Sequence, residues 1–175
     1  SVNVSAGSTT AGRAVYLNAS TSTSYFTPGG NVIKNNIIVN AGGGYALEAA
    51  STAAAGTYFT SDYNNYYATS STPFGTGSST LSAWQTTSSQ DANSVWGDPL
   101  FVSATDLHVQ GSSANNAGAA LGVATDIDGQ TRSTTTPDIG ADEYAPLTCF
   151  GASGVNATNI SDDNFDANWT SNNTT

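Results

Sequence analysis

The sequence predicts an all-β chain whose first part coils as a solenoid of short parallel strands, and three observations lead there. Short runs recur in constant order: 4–7 with 39–42, 13–21 with 44–52, Ser24-Tyr25-Phe26-Thr27 with Thr57-Tyr58-Phe59-Thr60, and 34–39 with 63–68. Their offsets of 35, 31, 33 and 29 residues drift around a period near thirty, as in a solenoid whose turns vary in length. The recurring runs are β-branched or aromatic and end in Gly, Pro, Ser or Thr. No stretch of the first seventy residues sustains a helical period between caps.

Taken in order, the candidate strands are 2–4, 14–18, 25–27, 32–39, 45–49, 57–60 and 63–67. Turns such as Pro28-Gly29-Gly30 and Gly42-Gly43-Gly44 separate them, which makes about two and a half coils over residues 1–70. The pairs Asn35-Asn36 and Asn64-Asn65 fall at coil corners, where asparagine tolerates the left-handed conformation and bonds its counterpart one coil away. The 29-residue offset places Asn36 over Asn65 in such a ladder. Beyond residue 70 the repeat fades into a Ser/Thr/Gly loop. A short helix follows at 81–90, with Leu81, Trp84 and Gln85 on one face.

Composition narrows the function classes. Only three residues are basic (Arg13, Lys34 and Arg132) and the net charge is −10, so phosphate neutralisation is out of reach and nucleic acid is not expected as a partner. An anionic membrane surface is disfavoured for the same reason. No run approaches the roughly 18 apolar residues of a membrane span. The aromatic share of 10% sits in β-type runs, which argues against disorder. The single cysteine, Cys149, excludes an internal disulfide and a cysteine-rich metal site, and reads as an incidental thiol. The chain starts inside a repeat, without methionine or signal peptide, and is read as an excerpt of a longer secreted protein.

The runs Asn35-Asn36-Ile37-Ile38-Val39-Asn40 and Ser61-Asp62-Tyr63-Asn64-Asn65-Tyr66-Tyr67 resemble coils of right-handed parallel β-helix proteins of the pectate-lyase-like type. Further on, six elements stand in order: Asp98-Pro99-Leu100-Phe101, Asp106-Leu107-His108-Val109, 112–118, 126–132, Pro137-Asp138-Ile139-Gly140 and Ala141-Asp142-Glu143-Tyr144. This series resembles the terminal module of secreted bacterial β-helix proteins of the choice-of-anchor family, with Ala114 where that family usually has proline. The resemblance implies that residues 71–144 form a loop and a capping module closing a β-helix whose last coils are residues 1–70. Residues 145–149 then form a linker, and 150–175 resemble the start of a fibronectin type III domain, an incomplete β-sandwich with strands near 155–158 and 164–170 and a core Trp169.

The acidic groups Asp126, Asp128, Asp138, Asp142 and Glu143 form the one dense charged set. Asp126-Ile127-Asp128-Gly129 starts like a calcium loop, which makes Asp126 and Asp128 the calcium candidates. Yet the glutamate such a loop ends on is replaced by Pro137. The favoured reading is structural: Arg132 pairs with Asp126, Asp128 or Asp138, and no cofactor or metal is needed. His108 is the only histidine and alternates with Leu107 and Val109, so a structural role is expected. In the coils, Arg13, Lys34, Glu48 and Asp62 supply no repeated acid pair of the kind glycoside hydrolysis uses. Aromatic residues of the coils are read as inter-coil stacks, with Tyr63, Tyr66 and Tyr67 as the alternative sugar platform. Asn-x-Ser/Thr sequons at Asn3, Asn18, Asn156 and elsewhere are expected by chance in so Ser/Thr/Asn-rich a chain.

The expectation is therefore the non-catalytic C-terminal portion of a large secreted or cell-surface β-helix protein of a Gram-negative bacterium, an adhesin or a carbohydrate-interacting scaffold. Polysaccharide or cell-surface glycan is its expected partner class. The alternative is the tail of a polysaccharide lyase or hydrolase whose active site lies upstream.

Overall fold

A computed structural model describes residues 2–4, 12–17, 31–49, 59–75, 77–144, 153–161 and 164–170. The candidate strand at 25–27 with Phe26, and the linker 145–149 with Cys149, lie outside the described residues. The chain divides into two compact units, Ser1–Tyr144 and Ala145–Thr175. Among the described residues the regular elements are mostly strands, with one short α-helix.

The first unit holds β1 (Val2–Val4), β2 (Arg13–Leu17), β3 (Asn31–Lys34), β4 (Ile37–Asn40), β5 (Tyr45–Ala49), β6 (Phe59–Asp62), β7 (Asn65–Ala68), α1 (Leu81–Ser88) and β8 (Val95–Trp96). Three small sheets collect them, in the orders β1-β4-β7-β8, β2-β5 and β3-β6, and every pairing is parallel. The long candidate strand at 32–39 is broken in two, because Asn35 adopts φ 55° between β3 and β4. The same corner recurs at Tyr63, with φ 56°, and at Asp91, with φ 62°. Asparagine and aspartate accept this conformation readily, whereas for a tyrosine it is a local cost that the surrounding pairing must offset.

The observed registers differ from the sequence alignment by one residue in each pairing that can be compared. Val4 faces Asn40 rather than Val39, Arg13 faces Tyr45 rather than Gly44, and Ile37 faces Asn65 rather than Tyr66. A one-residue slip exchanges the two faces of a strand. In the observed register, Ile38 and Tyr66 enter one apolar cluster while Ile37, Val39 and Tyr67 enter another on the opposite face. The alignment's register would pair one face with the other.

Pairing also runs past residue 70, where sequence similarity fades. Phe74 bridges Leu47 in parallel, Asp91 donates its N–H to Ser61, and Val95 and Trp96 pair with Asn65 and Tyr66. Helix α1 sits inside this further pass. Thr80 caps its start by accepting the N–H of Ala83, and Ser89 ends it at φ 55°, two residues before the expected stop. Its Trp84 is fully buried and stacks on Phe74 at 5.4 Å, and Phe74 meets the edge of Tyr66 at 5.4 Å. These rings join Ile38, Leu47 and Phe59 in the cluster that all three sheets feed. Burying each such side chain stabilises the fold by about 1.5–3 kcal/mol.

The segment 95–144 was expected to pack on the end of the solenoid and cover its apolar interior with Phe101, Leu107, Val109, Ile127 and Ile139. It lies elsewhere. Val109 and Ile139, with Phe101 beside them, pack on Ile37 and Val39, the other face of β4. Ile127 is 66% exposed, and the task assigned to this segment falls to Phe74 and Trp84. A one-turn 3-10 helix at Ser112–Ala114 is the segment's only helical element among the described residues.

In the second unit, β9 (Ser153–Ser161) and β10 (Asn164–Thr170) form an antiparallel hairpin with two register irregularities.

Candidate functional site

Segment 98–144 is nearly all loop, so its backbone N–H groups need acceptors that no sheet supplies. Its acids fill that need. Asp126 accepts the N–H of Asp128 and Gln130 on one oxygen and that of Glu143 on the other. Asp138, buried, accepts the N–H of Asn116 and of Tyr144, both at 2.6 Å. Asp142 accepts the N–H of Val109, and Glu143 accepts those of Ser133 and Asp138. Burial raises the Asp138 carboxyl above its ordinary value, against the pull of the Asn116 and Tyr144 N–H groups. Burial also acts to raise Asp126, but the N–H groups of Glu143, Gln130 and Asp128 outweigh it and hold that carboxyl below its ordinary value.

Arg132 is buried at 7% exposure, and its carboxylate partner is Glu143, Nε to Oε2 at 3.3 Å. This corrects the expected pairing with Asp126, Asp128 or Asp138. Asp138 takes part through its backbone carbonyl, which accepts from a terminal nitrogen at 2.5 Å, and Gly140 accepts from the other at 3.1 Å. Glu143 carries two backbone N–H groups just as Asp138 does, so the difference is placement: its Oε2 lies against the guanidinium.

Asp128 faces a different partner. Its carboxylate lies 3.0 Å from Nε2 of His108, whose Nδ1 lies 2.5 Å from Asp106. Asp106 raises the His108 pKa, chiefly through that hydrogen bond, with the charge of Asp128 adding to it. The buried Asp142 completes a group in which one donor atom each from His108, Asp128 and Asp142 lie within 4.8 Å of one another. The sequence marked all three residues but did not bring them together, because 20 and 14 residues of loop separate them.

The expected asparagine ladder exists in another register. Asn36 donates its N–H to the side-chain oxygen of Asn64 at 3.0 Å, and Asn64 donates its own N–H to Ser94 Oγ at 2.8 Å. Asn65 instead turns to the loops, donating to Ser113 Oγ at 2.7 Å. Asn35, at the left-handed corner, clamps the same segment: its amide donates to the Ala119 carbonyl and accepts the Ala119 N–H, at 2.7 and 2.8 Å. The sugar platform is not formed by Tyr63, Tyr66 and Tyr67 together. Tyr66 is fully buried, and Tyr67 is half-buried against Trp96.

Sequence reasoning missed Asp91, which lies in the loop after α1. It is 1% exposed, and its carboxylate receives Trp84 Nε1, Ser61 Oγ, Ser94 Oγ, Tyr66 OH and Asn64 Nδ2. Nothing in the local pattern distinguishes it from an ordinary turn aspartate. A cleft of about 620 Å³ opens between Lys34, Leu121, Val123, Ile127 and Thr134, and its walls are mainly apolar. No helix is long and apolar enough to cross a membrane among the described residues. Comparison with known proteins found no matching family, no matching curated protein and no matching solved structure.

Proposed function

We propose that this chain is the structural closing portion of a right-handed parallel β-helix, belonging to a secreted or cell-surface adhesin or carbohydrate-interacting scaffold. The parallel pairing of β1-β4-β7-β8, β2-β5 and β3-β6 supports the β-helix, since from β1 to β7 the chain runs twice through the three sheets in the same order. The observation that carries the structural reading is the use of the acids. The carboxylates of Asp126, Asp138 and Glu143 are engaged by backbone N–H groups, and Arg132 is spent on Glu143 and two carbonyls. Groups so engaged hold loops in place. In this reading, Phe74 and Trp84 close the interior of the last coil and segment 98–144 sheathes one outer face. The hairpin β9–β10 begins a fibronectin type III-like stalk.

Incubating the purified chain with acidic and neutral polysaccharides, and measuring released reducing ends, tests this. The expected outcome is no release, together with retention on an immobilised glycan of a surface polysaccharide. Cleavage by the longer parent protein, absent from this chain alone, would favour the tail of a lyase or hydrolase instead.

A further inference from the structure

We propose that His108, Asp128 and Asp142 form a site for one divalent transition-metal ion of the zinc class, with Asp106 as the outer partner that sets the imidazole. The three donor atoms already lie within 4.8 Å of one another. A tetrahedral ion with bonds of roughly 2.0–2.2 Å holds its ligands about 3.4 Å apart, so closure asks for a contraction on the order of 1 Å. The two side chains that must move are half-exposed, His108 at 39% and Asp128 at 48%. Asp142 is the fixed point, because Val109 N–H holds its Oδ2 at 2.9 Å.

A second observation points to a ligand. Asp142 is only 8% exposed; the Val109 N–H holds one carboxylate oxygen, and the other, facing no protein donor among the described residues, is open to a ligand. Charge argues the same way: three carboxylates (Asp106, Asp128 and Asp142) surround a single imidazole, leaving an excess that a divalent ion offsets. Asp106 sits on Nδ1, which leaves Nε2 turned toward Asp128. A carboxylate on the far nitrogen is the usual outer partner of a metal-bound histidine. One imidazole with two carboxylates and room for water suits zinc, whereas calcium takes six to eight oxygens.

Isothermal titration of the full chain with Zn²⁺, with Co²⁺ as the optical probe of ligand geometry, tests the site. Saturable binding of one ion per chain is expected, and visible Co²⁺ bands of tetrahedral or five-coordinate type. His108→Gln and Asp128→Asn should each weaken Zn²⁺ by at least about tenfold, and Asp106→Asn by roughly tenfold. Asp128 is exposed, so its variant keeps the test valid where another fails to fold, with circular dichroism confirming the fold. Three outcomes would overturn the proposal: no saturable binding up to roughly 1 mM Zn²⁺, unchanged affinity in folded His108→Gln and Asp128→Asn, or displacement of Zn²⁺ by an equal concentration of Ca²⁺.

Discussion

Asp91 shows how a single residue can hold the last pass of strand together. Its carboxylate is buried with no ion pair among the described residues, and five neutral donors from α1, β6, β7 and the adjoining loops converge on it. Asparagine in its place would present N–H groups to neighbours that already donate. Asp91→Asn should therefore cost about 3 kcal/mol, read as a lower urea midpoint at unchanged slope. The two paired arginines make the complementary point about burial. Arg13 pairs with Glu48 and lies 4.5 Å over the Tyr16 ring, but its side chain is 43% exposed, so the pair contributes under about 1 kcal/mol. Arg132 is 6% exposed by side chain and holds Glu143 and two carbonyls, so Arg132→Ala leaves a part-buried carboxylate without its cation. The expected loss is about 3 kcal/mol, and Arg13→Ala in the same denaturation series should lose far less.

Among the elements, β7 is where the two apolar clusters meet back to back: Tyr66 serves one face and Tyr67 the other. Burial, and then the charge of Asp91, raise the Tyr66 phenol well above its ordinary value. A group whose pKa is raised on folding contributes stability that is complete below its unfolded value, about 10 for tyrosine. That contribution is lost as pH climbs from there toward the folded value. Stability should therefore fall above pH ~10, and the fall should be shallower in Tyr66→Phe, measured by urea unfolding across alkaline pH. Helix α1 has the opposite dependence on its surroundings. Eight residues make a marginal helix in isolation, so its stability rests on Trp84 packed against Phe74. Trp84→Ala should cost about 3–5 kcal/mol and remove α1 along with the protection of β8 amides from exchange.

For the whole molecule, the two units differ in kind. In Ser1–Tyr144, three sheets share one apolar cluster and the loops of 98–144 are tied down by carboxylates. Among the described residues the second unit offers the single hairpin β9–β10, and a lone two-stranded hairpin is marginal in water. Hydrogen exchange should separate them: amides of β4 and β7 should exchange only with global unfolding, while those of β9 and β10 should exchange orders of magnitude faster. Equal protection of the hairpin would mean that it is stabilised by partners beyond its own pairing.

Strand content, the recurrence of strands near thirty residues and the helix at Trp84 were legible in the sequence, because composition and local pattern govern them. So was the acid-rich character of segment 98–144. Register was not: matching strings of letters aligned Asn36 with Asn65, while the pleat requires Ile38 to share a face with Tyr66, which moves the ladder to Asn36 and Asn64. The continuation of parallel pairing to Trp96 was hidden as well, because Phe74 and Asp91 are recognisable as parts of it only from what they touch. The partner of Arg132 was decided last of all. Sequence offers five acids within reach, and only the folded loops place the Glu143 carboxylate, rather than those of Asp126 and Asp138, against the guanidinium. Local chemistry sets which elements form; three-dimensional competition for hydrogen-bond acceptors and for space sets which side chains meet.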